Sequence, residues 1–181
     1  MKFYKKALCI LMLVICFPAY AERIIPDGFS WADTGPQESD FLKPDDWFLK
    51  IEEVKGIYAV FITKEKIENG KEFQTGFSLN VIKNIKKKTN VAPSLYAQAF
   101  VEQATKDKVI TKSPWAVNAG PFKGFGVQVK DSVKTMHYML IANDKTNTLF
   151  IAFFESPPNE WNEAWKIGQV IFNNMKLDDQ I

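Results

Sequence analysis

The sequence has few of the residues that most often carry chemistry in proteins. Its two cysteines, Cys9 and Cys16, both lie within the first 21 residues, and the whole chain contains one histidine and one arginine. A chain that keeps only the part after residue 21 therefore has no disulfide, no thiolate nucleophile and no cysteine metal ligand. A zinc site needs several nitrogen or sulfur ligands, so we expect no metal, and we expect no other cofactor.

The sequence also has no hydrophobic run that is long enough to span a bilayer, which needs about 20 apolar residues. The apolar run at residues 7–17 is shorter, follows the lysines of residues 2–6, and precedes the small-residue sequence AYA. That order predicts a secretory signal peptide over residues 1–21, with cleavage after Ala21. A retained anchor and lipidation at Cys16 are the alternatives.

The excess of positive charge disappears once the predicted signal peptide is removed. Residues 1–21 contain three lysines and no acidic residue, so the 23 basic residues fall to 20 against 21 acidic ones. Because a basic surface supplies most of the affinity for nucleic acid, we expect no nucleic-acid partner. We predict an exported protein, periplasmic or secreted, in which residues 22–181 form a single domain of ordinary size.

Strand and helix patterns follow an irregular lead-in. Residues 22–46 are rich in Pro, Gly, Asp and Ser and have room for one short strand. The stretches WFLKIEE and GIYAVFITKE predict a hairpin, and GFSLNVIK predicts a third strand. Pro93 opens a helical pattern that ends near residue 107. The stretch KSPWAVNAGPFKG is turn-rich, and FGVQVK after it predicts another strand.

The last third of the chain gives the strongest patterns. The strands TMHYMLIA and LFIAFFE flank a turn, and the second is apolar on both faces, so both faces need cover. The stretch EWNEAWKIGQVIFNNMKL, with its cap predicted at residues 156–159, places Trp161, Trp165 and Gly168 in an apolar stripe about 120° wide. We therefore predict an α+β fold, an antiparallel β-sheet flanked by helices as an α/β/α sandwich.

This order of elements resembles the PsbP-like, Mog-type family, which includes DcrB-like periplasmic proteins. The matching features are PDDW at residues 44–47, the helix from Pro93, the late hairpin and the terminal helix, which together cover most of residues 41–178. The resemblance implies a compact sandwich that acts as an accessory or protein-binding module, without enzymatic activity in most members. Members serve partners as different as a photosystem, a nuclear GTPase and envelope components, so the fold does not transfer a function.

Two groups of residues are candidate contacts for a partner. Trp31 and Trp115 stand in polar, turn-rich stretches, and tryptophan is enriched among interface anchors. The alternative is that both rings pack back onto the sheet. Lys86, Lys87 and Lys88 form the densest positive run, which is either a solvated loop or a contact for anionic lipid or an acidic partner.

We predict no catalytic residue. His137 lies in a strand pattern, and the chain has no G-x-S-x-G to position a nucleophile for it. An enzyme would have to rely on Lys, Asp, Glu, Ser or Tyr. The leading hypothesis is an exported, non-enzymatic accessory protein that binds another envelope or secreted protein. The alternative is a carrier of an apolar ligand or lipid, held in a pocket between sheet and helix.

Overall fold

The computed structural model describes residues 24–34, 39–68 and 72–181. Within them the strands are β1 (Phe29–Trp31), β2 (Ser39–Asp40), β3 (Leu42–Pro44), β4 (Phe48–Val54), β5 (Ile57–Thr63), β6 (Gly76–Ile82), β7 (Val109–Ala119), β8 (Phe122–Lys130), β9 (Thr135–Asn143), β10 (Thr148–Ser156) and β11 (Lys176–Leu177). The helices are α1 (Ile85–Thr89), α2 (Pro93–Thr105) and α3 (Trp161–Asn174). The predicted signal peptide, with Cys9 and Cys16, lies outside the described residues.

The main sheet is antiparallel throughout, with its seven described strands in the order β4-β5-β6-β10-β9-β8-β7. The hairpin predicted for β4 and β5 is present. Its turn residues Lys55 and Gly56 both have positive φ, 53° and 71°, as a two-residue turn between right-twisted strands requires. The chain then crosses from β6 to the far edge strand β7 through α1 and α2, which places α2 over β8 and β9.

Strand β10 shows why the sheet is covered on both faces. Phe150 and Phe154 are fully buried in the cluster that packs under α3, whereas Leu149 and Ile151 belong to the cluster under α2. The predicted α/β/α arrangement is therefore confirmed, because each face of this central strand is apolar and each is covered by a helix.

The lead-in is more ordered than the sequence predicts. Strands β1 and β3 pair with each other, and β2 pairs with β11 after the last helix. Phe41 and Leu42, between and within these strands, are 0% and 1% exposed, and the Phe41 ring packs against Phe77 of β6. The sequence predicted an irregular segment with one short strand, whereas its described residues contain three, because strands of two or three residues carry no periodicity and the partner of β2 lies more than 130 residues away.

The stretch predicted as turn-rich around Trp115 is instead the edge strand β7. Pro114 interrupts a strand pattern in the sequence, yet it is tolerated because it lies on the sheet edge, within the register shift between Lys112 and Trp115. Both predicted contact tryptophans thus lie in strands, Trp31 in β1 and Trp115 in β7.

Two further boundaries differ from prediction. Ser156, expected in the cap of the last helix, is the buried final residue of β10 and pairs with Thr135. Helix α3 begins five residues later, with Glu160 as its cap and no side-chain hydrogen bond there. The run Lys86–Lys88, expected in a loop, lies in the short helix α1.

Candidate functional site

The two tryptophans of α3 face the sheet, as the stripe predicted. The Trp161 and Trp165 rings stack with centroids 5.2 Å apart and an interplanar angle of 9°. Both also contact Phe154 of β10 edge-on, at 6.0 and 5.8 Å. Gly168, one turn further on, lies so close to the sheet that an added Cβ would be 2.9 Å from the Phe154 ring. Each tryptophan is half-buried, so one side of the stack is left towards solvent.

Trp115 extends this cluster onto the edge of the sheet. It pairs with Gly126 of β8, and its indole lies flat against that glycine, where an added Cβ would be 2.0 Å from the ring. The exposed Lys112 places its Nζ 4.3 Å from the centroid of the same ring, within cation–π range. Trp115 is itself half-buried, so the ring both covers the sheet and presents an accessible edge.

His137 of β9 joins the two groups of rings. Its imidazole centroid is 5.3 Å from Trp115, 4.3 Å from Trp165 and 5.0 Å from Phe172. These five side chains, Trp115, His137, Trp161, Trp165 and Phe172, are called the aromatic surface below. It lies on the α3 face of the sheet, between the helix and the edge strand β7.

The environment of His137 keeps its ring neutral. Burial lowers the pKa of the imidazole from 6.5 to about 4, and the positive charge of Lys112 acts in the same direction. The Nδ1 atom is buried and has no hydrogen-bond partner within the described part of the chain. A general base needs an orienting acid or a substrate within hydrogen-bond reach, and here the ring is bordered by aromatic carbon. The geometry suits a packing residue.

The sequence singled out Trp115 as a tryptophan in a polar, turn-rich stretch and predicted His137 to be a strand residue without a catalytic role, but it did not bring the two together. Register places them on the same face of the sheet, on the two strands that flank β8, since Trp115 of β7 pairs with Gly126 and His137 of β9 pairs with Gln128. The sequence feature that could have predicted the cluster is Gly124-Phe125-Gly126 in β8, because glycines in a strand leave space for an aromatic ring above the sheet. Trp31, 39% exposed, lies in the separate β1–β3 sheet, opposite Leu42.

Two cavities accompany these surfaces. One of about 650 Å³ lies between the N-terminal part of α3 and the β5 and β6 ends; Trp47, Thr75, Ala164 and Ile167 are among its lining residues. The Thr75 hydroxyl is buried and unpaired within the described residues. The second, of about 360 Å³, lies on the α2 face and contains the ion pair of Lys134 with Glu155.

Glu155 is the one charged residue among the buried polar positions of the described chain. Burial raises the pKa of its carboxyl above the ordinary value, although the Lys134 ammonium beside it acts in the opposite direction. Lys134 also donates a hydrogen bond to the carbonyl oxygen of Phe73, at 3.2 Å. These contacts hold the β5–β6 connection against the β8–β9 turn.

In residues 24–34, 39–68 and 72–181, no group of three or more His, Cys, Asp or Glu side chains is arranged to hold a metal ion. Within these ranges there is also no helix with the length and apolar character needed to cross a membrane.

Together these elements define an α+β sandwich of the PsbP/Mog type. A comparison of the sequence with protein-family profiles finds no match, and a comparison with curated proteins finds no similar sequence. Solved structures do match. The crystal structure of the Ran-binding protein Mog1p from Saccharomyces cerevisiae is 11% identical over 84% of this chain and 96% of its own, with a TM-score of 0.52.

The solution structure of cyanobacterial PsbP from Synechocystis sp. is similar to the same extent. It is 10% identical over 87% of this chain and 96% of its own, with a TM-score of 0.50. The shared fold is thereby established. At sequence identities of 10% and 11%, the similarity does not show which residues of this chain are functional.

Proposed function

We propose that the protein is an exported, non-enzymatic module that binds another protein of the envelope or the extracellular space. The observation that carries this proposal is the aromatic surface, where three half-buried tryptophans lie within one chain of ring contacts beside the edge of the sheet. Tryptophan is enriched among the few interface residues that contribute most of the binding energy, and a side chain that is already held in place loses less entropy on binding. The fold is also that of Mog1p, a Ran-binding protein, which supports a binding role.

Trp115 is the anchor that we assign to the partner. Its position against Gly126 and under Lys112 fixes the indole before any partner arrives, so little side-chain entropy is lost on binding. The exposed apolar residues Val109 and Ile110, 66% and 48% exposed, precede it on the same strand. Trp31 and the lysines of α1 lie on other elements and remain candidates for additional contacts.

The test is affinity capture from an envelope extract with residues 22–181 as bait, followed by titration of the purified partner. Lys112→Ala and Trp115→Ala should each weaken binding, the second by tenfold or more, because hot-spot tryptophans typically contribute about 2 kcal/mol or more. Phe48→Ala is the matched control, since Phe48 is 42% exposed on the opposite edge strand β4. Circular dichroism verifies that each variant is folded. Equal affinities of the Trp115 and Phe48 variants for the partner would show that the aromatic surface is not the binding site.

A second function, carriage of an apolar ligand, is favoured by the cavity between α3 and the sheet. Its volume of about 650 Å³ would hold a small lipid fragment, and the unpaired Thr75 hydroxyl offers one polar contact. Native mass spectrometry of the purified protein should then show a co-purifying species. Ile167→Trp, which narrows the cavity, should abolish that species; a spectrum with the bare protein alone would count against carriage.

A further inference from the structure

Several loops meet at one end of the main sheet. Val54 at the end of β4 pairs with Ile57 of β5, Ile57 pairs with Ile82 at the end of β6, and Ile82 pairs with Leu149 of β10. The β4–β5 turn, the start of α1 and the β9–β10 turn therefore lie side by side at this end. The β5–β6 connection and the β8–β9 turn lie at the opposite end.

Hydrogen bonds fix α1 between these two turns. The Lys88 Nζ donates to the carbonyl oxygen of Gly56 in the β4–β5 turn at 3.4 Å. On the other side, the Ile85 N–H donates to the Asn147 carbonyl at 3.1 Å, and the Lys86 N–H donates to Asn147 Oδ1 at 3.0 Å. The helix is thus held as part of the end surface, although it has only five residues.

This end presents lysines whose charge is not neutralised. Lys55, Lys86, Lys87 and Lys88 are all exposed, and none of them forms an ion pair with a carboxylate of the described residues. They are called the basic end below. Of the acidic residues around it, Glu53 is exposed in β4. Asp144 accepts hydrogen bonds from the Ser94 N–H and hydroxyl, at 3.0 and 2.8 Å.

A second acidic group borders this end on the α3 side. There the Asn143 side chain donates to the Asp179 carbonyl at 3.0 Å, so Asp178 and Asp179 mark the boundary of the positive region. The lysines of α1 lie away from it, between the β4–β5 turn and Asn147.

Exposed aliphatic side chains stand among these lysines. Val54, directly before Lys55, is 56% exposed; Val91, just after α1, is 37% exposed; and Leu95, in the first turn of α2, is 59% exposed. Lysines with aliphatic tips between them are the pattern of a surface that rests on lipid headgroups. The tips can enter the interface while the long lysine stems reach the phosphates.

We propose that the basic end binds the surface of an anionic lipid bilayer. The residue type favours lipid over an acidic protein, because lysine is a mobile point charge suited to a diffuse layer of phosphates. The described residues contain no arginine, and therefore no guanidinium fork of the kind that pairs with protein carboxylates in a fixed geometry. Each lysine near an anionic surface strengthens binding by roughly fivefold, so four of them give a reversible association that salt weakens.

Membrane binding at this end leaves the aromatic surface accessible, since the latter lies on the α3 face between the helix and β7. The protein would then be concentrated at a membrane while it binds its partner. The membrane proposal does not depend on that partner, because its test uses lipid alone.

The experiment is co-sedimentation of residues 22–181 with vesicles of equal parts phosphatidylglycerol and phosphatidylcholine, and with vesicles of phosphatidylcholine alone. We expect binding to the anionic vesicles only, and a loss of that binding at high salt. The triple variant Lys86→Glu/Lys87→Glu/Lys88→Glu should lose it by a hundredfold or more. The matched control, Lys66→Glu/Lys106→Glu/Lys130→Glu, changes the net charge equally but at the opposite end and should bind far better.

A variant outside α1 protects the test against loss of the short helix. Lys55→Glu, in the turn, should weaken binding several-fold with unchanged circular dichroism. The proposal is overturned by equal sedimentation with the two kinds of vesicle, or by equal loss in the two triple variants. Binding to soluble polyglutamate without binding to anionic vesicles would also overturn it, and would identify an acidic protein as the occupant.

Discussion

His137 is the residue whose chemistry depends most on its neighbours. In the unfolded chain its imidazole titrates near 6.5, but in the folded protein burial lowers the pKa to about 4. Between these values the unfolded chain binds a proton that the folded protein does not. The contribution of His137 to the free energy of unfolding is therefore fully present above the unfolded pKa. It is lost as the pH falls from that value towards the folded pKa.

We predict that His137→Leu removes this part of the acid sensitivity. The natural protein should lose about 2 kcal/mol through His137 between pH 7 and pH 5, because folding lowers the pKa of the imidazole from 6.5 to about 4 and this interval lies mostly between the two values. Urea unfolding of the natural protein and the variant at both pH values measures the difference. A variant that loses as much stability on acidification as the natural protein would refute this account; the contribution of Glu155 cancels, because both chains contain it.

Trp115 of the aromatic surface packs against Gly126 of β8. We predict that Gly126→Ala destabilises the protein by about 1–3 kcal/mol, because the new Cβ would lie 2.0 Å from the indole and the ring must move. In a chain that already carries Trp115→Ala, the same substitution should cost much less. Thermal unfolding of the single and double variants gives the coupling energy, and additive effects would show that the contact does not matter.

At the scale of elements, α3 is held against the sheet by its aromatic residues and by close approach at Gly168. The added Cβ of an alanine would lie 2.7 Å from the Trp165 ring and 2.9 Å from Phe154, which is fully buried. Alanine favours the helix over glycine by about 1 kcal/mol, whereas overpacking in a core costs about 1–3 kcal/mol. The steric effect should therefore exceed the helix propensity.

Gly168→Ala is accordingly expected to lower the free energy of unfolding by about 1 kcal/mol. Asn173→Ala is the control, because Asn173 is exposed on the same helix and its replacement should raise stability by a few tenths of a kcal/mol. Chemical denaturation of both variants measures these changes in the free energy of unfolding. Stabilisation by both would mean that α3 does not pack closely at Gly168.

At the scale of the molecule, the lead-in is joined to the sheet through its core residues. Phe41 packs on Phe77, and the Tyr58 hydroxyl of β5 donates to the Thr34 carbonyl at 2.7 Å. Strand β2 pairs with β11, so the lead-in is also joined to the segment that follows α3. We propose on these grounds that residues 22–181 unfold as one cooperative domain.

Phe41→Ala should lower the stability of the whole domain by about 3–5 kcal/mol, because a fully buried phenylalanine is removed from the main core. The transition should remain single, and tryptophan fluorescence and circular dichroism should report the same midpoint. Phe48→Ala, on the exposed side of β4, should change the midpoint little. Separate transitions in the Phe41 variant would show that the lead-in is an independent unit.

The long elements could be predicted from the sequence because their periodicity is local. Strands β9 and β10, helix α2 from Pro93 and the stripe with Trp161 and Trp165 all follow from residue spacing, and they are enough to require a sheet covered on both faces. Short strands and pairing between distant segments leave no such signal. For that reason only one short strand was predicted where β1, β2 and β3 lie, and the part of β7 around Pro114 was predicted to be turn-rich.

The sequence by itself determined the chemical inventory of this protein, namely a chain without cysteine after residue 21, with one histidine, one arginine and an apolar central strand. It also determined the type of fold, since periodic burial follows from order along the chain. Only the tertiary structure decided that Trp115, His137 and Trp165 meet and that Lys55 joins the lysines of α1 at one end. The reason is that strand register and crossover connections, which are set by packing of the whole molecule, bring these distant residues together.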